Sequence, residues 1–149
     1  MNAEVQRVVI SLPAKAEYVD IVRLNLYGIA SKMGFSYEDI EDMKVAVSEA
    51  CNNSVLYAYD KQDGIVEVAF ELFEDMLSIT VRDEGESFER TASNGSVTLH
   101  DKELLDVEIG GLGFYLMEAL MDEVSIENAA GRGTKVVMSK RLMRSEEKV

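Results

Sequence analysis

The spacing of apolar residues changes partway along this 149-residue chain, and the change limits the folds open to it. From Ala16 to Met33 apolar side chains recur at steps of three and four, the spacing of one helical face. Gly34 is expected to end this helix. Ser36 is a suitable N-cap for a second helix, which we expect to extend to about Tyr59. Over 66–81 apolar residues instead alternate with polar or small ones, as in the strands of a hairpin. The sequence therefore predicts two successive helices followed by antiparallel strands.

Further strands and one more helix complete the predicted order. A short strand is expected over 5–12, before Pro13, which lacks a backbone N–H donor. A third helix is expected over 112–122, and because it is apolar nearly all round, we expect it to be sandwiched in the core. A last hairpin turns at 131–133. This order predicts an α+β fold, a two-layer sandwich of a mostly antiparallel mixed sheet with helices on one face.

Charge and length exclude several classes of protein. The 28 acidic and 15 basic residues give a formal charge of -13, which repels nucleic acid and anionic membranes. We expect a cytoplasmic location, because no apolar run approaches the roughly 18 residues that span a bilayer. One cysteine, Cys51, and one histidine, His100, give little support to a Cys/His metal site or catalytic pair. The length favours one domain over 1–149, with a frayed tail at 144–149.

Glu49 and Asn53 are the most informative polar residues of the second helix. They lie one helical turn apart on an otherwise nonpolar face. An Asn carbonyl beside a free carboxylate suits a Mg²⁺ ion that completes its shell with phosphate and water, and the carboxylate could accept a proton from an attacking hydroxyl. Taken alone, the pair is more often a chance arrangement on a helix surface.

Three further motifs contain glycine. Asp83 and Gly85 follow a predicted strand, where a carboxylate could accept a hydrogen bond from an exocyclic amine. The glycines of 110–113 precede a helix, whose free N–H groups favour phosphate. Thr134 follows a Gly-x-Gly turn and opens a strand. Each motif taken alone also fits a purely structural role. These roles are, in order, a turn at the end of a strand, the entry to a helix and a hairpin turn.

In this order the four motifs resemble the ATP-binding fold that gyrase, Hsp90, histidine kinases and MutL share. Within that superfamily, three runs look like the bacterial anti-sigma-factor serine kinases, above all the sigma-B stress-response type. These runs are VSEACNN at 47–53, GGLG at 110–113 and LMEALMDEV at 116–124. The resemblance covers residues from about 5 to 142 and implies a Bergerat-type ATP-binding fold.

The resemblance also implies roles for single residues. It makes Glu49 the general base and Asn53 the Mg²⁺ ligand, which also contacts ATP. The other implied ATP-binding residues are Asp83, Gly85, Gly111, Leu112, Gly113 and Thr134. Three positions depart from the pattern. Ser87 stands where many relatives have Gly or Ala, and Tyr57 stands where related kinases often have His. Ile109 stands where sporulation-type relatives carry an Arg that reaches the terminal phosphate. Lys102 or Arg90 could replace that charge.

The implied function is a serine-protein kinase and anti-sigma factor. Such a protein sequesters an alternative, sigma-B-like sigma factor as a homodimer, and uses Mg-ATP to phosphorylate a serine of a STAS-domain anti-anti-sigma factor. Arg23 matches a basic residue that meets both partners in related kinases, although a solvated helix Arg is as consistent with the sequence. Two other functions stay open at this point: a nucleotide-gated sigma-binding module without phosphoryl transfer, and a scaffold whose glycines only form turns.

Overall fold

The structure is a computed structural model that describes residues 5–55, 64–84, 112–129 and 133–143. Within these ranges the chain forms five strands and three α-helices in the predicted order. They are β1 (Gln6–Pro13), α1 (Val19–Met33), α2 (Tyr37–Asn53), β2 (Ile65–Leu72), β3 (Met76–Asp83), α3 (Leu112–Leu120), β4 (Glu123–Ala129) and β5 (Gly133–Arg141). A 3-10 turn at Ala16–Tyr18 leads into α1.

The five strands form one sheet with the order β1-β2-β3-β5-β4. All four pairings between the described strands are antiparallel, which agrees with the predicted α+β class. One row of paired residues crosses the whole sheet and comprises Val8, Phe70, Ile79, Met138 and Val124. The three central members of this row have no exposed surface, so this face of the sheet meets the helices.

The ends of α1 and α2 follow from local chemistry. Gly34 ends α1 at a φ of 103°, in the left-handed region that glycine adopts without a steric penalty. Ser36 begins α2, and its hydroxyl oxygen accepts a hydrogen bond of 3.1 Å from the backbone N–H of Asp39. Both signals were predicted. The end of α2 at Asn53 is followed by helical turns at 54–55, and residues 56–59 of the predicted helix lie outside the described ranges.

The hydrophobic core lies between the sheet and one face of each helix. Val22 and Leu26 of α1, Met43 of α2 and Met117 of α3 are fully buried, and burial of such a side chain stabilises the fold by about 1.5–3 kcal/mol. The expectation that α3 is sandwiched on several sides is wrong, because Tyr115 is 65% exposed. One face of α3 contacts the core, and the remaining apolar side chains that are described on this helix are half-buried or exposed.

No helix within the described ranges is long and apolar enough to cross a bilayer.

Candidate nucleotide-binding site

The packing of α2 against α3 brings together two motifs that are far apart in the sequence. Glu49 and Asn53 project from α2 as half-buried side chains, and Gly113 in the first turn of α3 lies over both. A Cβ atom placed on Gly113 would lie 2.8 Å from Oε1 of Glu49 and 3.8 Å from Nδ2 of Asn53. A larger residue at this position would force the Glu49 carboxylate to shift, so the glycine leaves room for the carboxylate where it lies.

Asp83 and Thr134 meet at the edge of the same region. They are register partners on the neighbouring strands β3 and β5, and their exposures are only 3% and 5%. Gly133 makes this pairing possible, because a Cβ atom there would lie 2.0 Å from the backbone oxygen of Asp83. Its φ of 95° also favours glycine. The predicted strand-end Asp and strand-opening Thr therefore lie side by side.

A buried hydrogen bond joins this pair to α2. The hydroxyl of Ser54, directly after Asn53, donates to Oδ2 of Asp83 across 2.7 Å. Ser54 is 5% exposed. The end of α2 thus contacts the end of β3, and one helix carries the Glu49–Asn53 pair as well as the residue that contacts Asp83.

Sequence reasoning missed Ser54 and assigned Gly133 only a turn. The one signal for Ser54 is a hydroxyl side chain directly after the Glu-x-x-x-Asn pattern. Of the predicted residues, Gly85 and Gly111 lie outside the described ranges. Leu112 begins α3, but its side chain is not among the parts that the structure describes. Other predictions outside these ranges concern Tyr57, Ser87, Arg90, His100, Lys102 and Ile109.

The oxygen donors near Gly113 fit a Mg²⁺ ion that is shared with a phosphate ligand. Among the described residues there is no group of three or more His, Cys, Asp or Glu that could hold a metal ion. Mg²⁺ does not need such a cage, since it commonly binds one or two protein oxygens together with substrate phosphates and water. Asn53 supplies an amide oxygen and Glu49 a carboxylate beside the first turn of α3, whose N–H groups can receive phosphate.

Arg23 is tied to α2 more closely than a solvated helix Arg would be. Its Nε donates to the hydroxyl of Ser48 across 2.8 Å, and its guanidinium also pairs with Asp20 on its own helix. The side chain keeps 36% of its surface exposed. Arg23 therefore has an ordered position and still offers part of its charge to solvent.

Cys51 lies on the opposite, core-facing side of α2. Burial raises the pKa of its thiol to about 12, against a smaller lowering by the positive charge of Arg23. A thiol with so high a pKa carries almost no thiolate at neutral pH, and the thiolate is the reactive form. Cys51 is therefore poorly suited to act as a nucleophile.

The chain is similar to a family of ATPase domains and to several serine-protein kinases. Residues 12–140 match the family described as histidine kinase-like ATPase domain. A serine-protein kinase RsbW of Bacillus pumilus is 47% identical over 151 residues, covering 97% of this chain and 91% of the relative. The serine-protein kinase RsbW of Bacillus licheniformis is 51% identical, and the match covers 89% of this chain and 83% of the relative. That of Bacillus cereus is 40% identical, and the match covers 98% of this chain and 91% of the relative.

A solved structure shares the fold. The crystal structure of the RsbU and RsbW domains of a Mycobacterium tuberculosis protein superposes with a TM-score of 0.68 at 25% identity. The match covers 93% of this chain and 33% of that longer protein. The likeness therefore extends over nearly the whole of this chain and about a third of the other.

Proposed function

We infer the function from the premise that this chain belongs to the family of histidine kinase-like ATPase domains and, within it, to the RsbW serine-protein kinases. It is an ATP-dependent protein kinase. The single observation that supports a working transfer site is the convergence of Glu49, Asn53 and Gly113 where α2 meets α3. A carboxylate, an amide and the first turn of a helix are then available together for a triphosphate.

Adenine binds at the Asp83 end of the site in this proposal. A carboxylate is an acceptor and pairs with the exocyclic amine of adenine, whereas guanine presents a carbonyl at that position. Thr134, beside Asp83 on β5, supplies a second polar group. Gly85 follows in the chain and is proposed to let the backbone approach the flat ring.

The triphosphate extends from there towards α3. The N–H groups of Gly111, Leu112 and Gly113 are proposed to bind its oxygens, helped by the positive end of the helix dipole. Asn53 would hold Mg²⁺, which when bound neutralises negative charge on the phosphates. This neutralisation matters because the chain itself carries a formal charge of -13, which repels the negative charge of the phosphates.

Glu49 acts as the general base. Its carboxylate is half-buried and adjoins the entrance of α3, so a hydroxyl that approaches the terminal phosphate can hydrogen-bond to it. Glu49 orients this hydroxyl and takes its proton as the hydroxyl oxygen bonds to the terminal phosphorus, while the bond from that phosphorus to the bridging oxygen breaks and ADP leaves. The remaining catalysis comes from positioning and electrostatics, as is usual in phosphoryl transfer.

The proposed partners are a sigma-B-like sigma factor, which the protein sequesters, and a STAS-domain anti-anti-sigma factor, whose serine it phosphorylates. We propose that it acts as a cytoplasmic homodimer. Arg23 supports partner binding, because it is ordered by α2 and still partly exposed. Neither nucleic acid nor membrane is expected to bind directly.

The test is transfer of labelled phosphate from ATP to a purified STAS-domain protein from the same genome. A labelled serine on that protein, formed only in the presence of Mg²⁺, is the expected result. Binding of ATP and of the sigma factor without any transfer would instead favour the nucleotide-gated binding module.

A further inference from the structure

The hydrogen bond between Ser54 and Asp83 has no counterpart in the roles assigned so far. Both side chains are at least nine-tenths buried, and the oxygens lie 2.7 Å apart. Ser54 is also the C-cap of α2, and its backbone N–H donates hydrogen bonds to the carbonyls of Ala50 and Cys51. Its backbone is therefore held by the helix while its side chain reaches the end of β3.

We propose that Ser54 is a specificity-determining positioning residue for adenine recognition, a role that rests on the proposed function of Asp83. A carboxylate offers several acceptor directions on two oxygens. By donating to Oδ2, Ser54 restricts rotation of the carboxylate about its Cβ–Cγ bond. The orientation of the group towards the exocyclic amine is then set before ATP arrives, which is how a supporting hydrogen bond sharpens a recognition site.

The position of Ser54 in the chain makes the orientation dependent on α2. Ser54 follows Asn53 directly, so the proposed metal ligand and the residue that orients Asp83 share one helical turn. Glu49 lies on the preceding turn of the same helix. α2 therefore connects the proposed adenine end of the site with the proposed transfer end.

Ser54→Ala tests this role with two nucleotides, ATP and purine riboside triphosphate, which lacks the exocyclic amine. Affinities are measured by calorimetry with Mg²⁺ present. Ser54→Ala is expected to lower the affinity for ATP about tenfold, as for loss of one charge-assisted hydrogen bond. The affinity for the amine-free nucleotide should change much less, because no amine is present to be oriented.

Ser78→Ala is the matched control. Ser78 is also a buried serine, 8% exposed, but it lies on β3 five residues from Asp83, about 17 Å along a strand. This variant should keep both affinities. If Ser54→Ala does not fold, Ser54→Cys keeps the volume with a weaker donor and is measured with the same two nucleotides.

An equal loss for both nucleotides, or no loss for either, would overturn the positioning role. If the native protein binds the amine-free nucleotide as tightly as ATP, the proposed function of Asp83 itself is overturned. The two failures are thus distinguishable.

Discussion

The two ends of the candidate site differ in how much protein surrounds them. At the proposed adenine end, Asp83 and Thr134 are almost completely buried. Ser54 donates a hydrogen bond to Asp83, and Gly133 leaves space for the Asp83 backbone. At the transfer end, Glu49 and Asn53 are only half-buried. The first end is built from two paired strands and a helix end, whereas the second lies where two helices approach each other.

This difference in burial fits the two proposed tasks, adenine recognition and phosphoryl transfer. A small, fixed ligand such as adenine is recognised best by groups whose positions are set in advance. A serine that belongs to another protein must reach the terminal phosphate from outside, so the base has to stay accessible. Variants at the adenine end should therefore change binding, and variants at the transfer end should change rate.

The largest effect is expected for Glu49→Gln. The amide keeps the size of the side chain but cannot take a proton, so phosphorylation of the STAS protein should fall by about 10²–10⁴-fold. Binding of ATP and of the sigma factor should stay at the native level. Glu38→Gln, an exposed change on the same helix, is the control for charge alone. A native rate in Glu49→Gln would mean that another group is the base.

Asp83→Asn should have the next largest effect, and on affinity. Replacement of the charged acceptor by a neutral amide weakens the hydrogen bond to the adenine amine, so ATP affinity should fall about 10–100-fold. Calorimetry with ATP and GTP measures this change together with the loss of base preference. Equal affinity of the native protein for ATP and GTP would contradict the assignment.

Gly113→Ala should reduce the rate with little change in base preference. The added Cβ would lie 2.8 Å from Oε1 of Glu49, so the carboxylate must shift by a few tenths of an ångström. A misplaced base should lower the phosphorylation rate by about tenfold. Gly28→Ala, where a Cβ would meet nothing within 4 Å, is the matched control. If the two variants have the same rate, Gly113 has no influence on Glu49.

Arg23→Glu should weaken partner binding by a smaller factor. The reversed charge would repel Asp20 and lose the hydrogen bond to Ser48, so thermal unfolding must be measured alongside. We expect binding of the sigma factor or the STAS protein to fall about tenfold or less, as for a partly exposed interface charge, without a change in ATP affinity. Undiminished binding of both partners by a folded variant would exclude this role.

The last prediction concerns stability at alkaline pH, and it depends on Cys51. Burial raises the pKa of its thiol from the ordinary 9.0 to about 12, so the folded chain holds this proton more tightly than the unfolded chain. Its stabilising contribution is complete below pH 9 and is lost as the pH rises to 12. The free energy of unfolding should fall in this window by about 1.4 kcal/mol per pH unit more than in Cys51→Ala. Parallel curves for the two proteins would contradict this.

The sequence predicts the fold better than the details of the site. Periodicity, the cap at Ser36 and the stop at Gly34 depend on neighbouring residues, and the structure agrees with them. The exposed face of α3 could not be predicted, because a helix that is apolar nearly all round does not show which side meets the core. Ser54 was missed because its contact depends on where β3 ends, 29 residues further along the chain.

The most direct test of the two-ended site is the single-turnover rate of STAS phosphorylation at saturating Mg-ATP, compared between Asp83→Asn and Glu49→Gln. Asp83→Asn should approach the native rate once enough ATP is supplied, because its defect is in binding. Glu49→Gln should stay about 10²–10⁴-fold slow at every ATP concentration. If saturation restores Glu49→Gln, or leaves Asp83→Asn equally slow, the division of the site into a binding end and a transfer end is wrong.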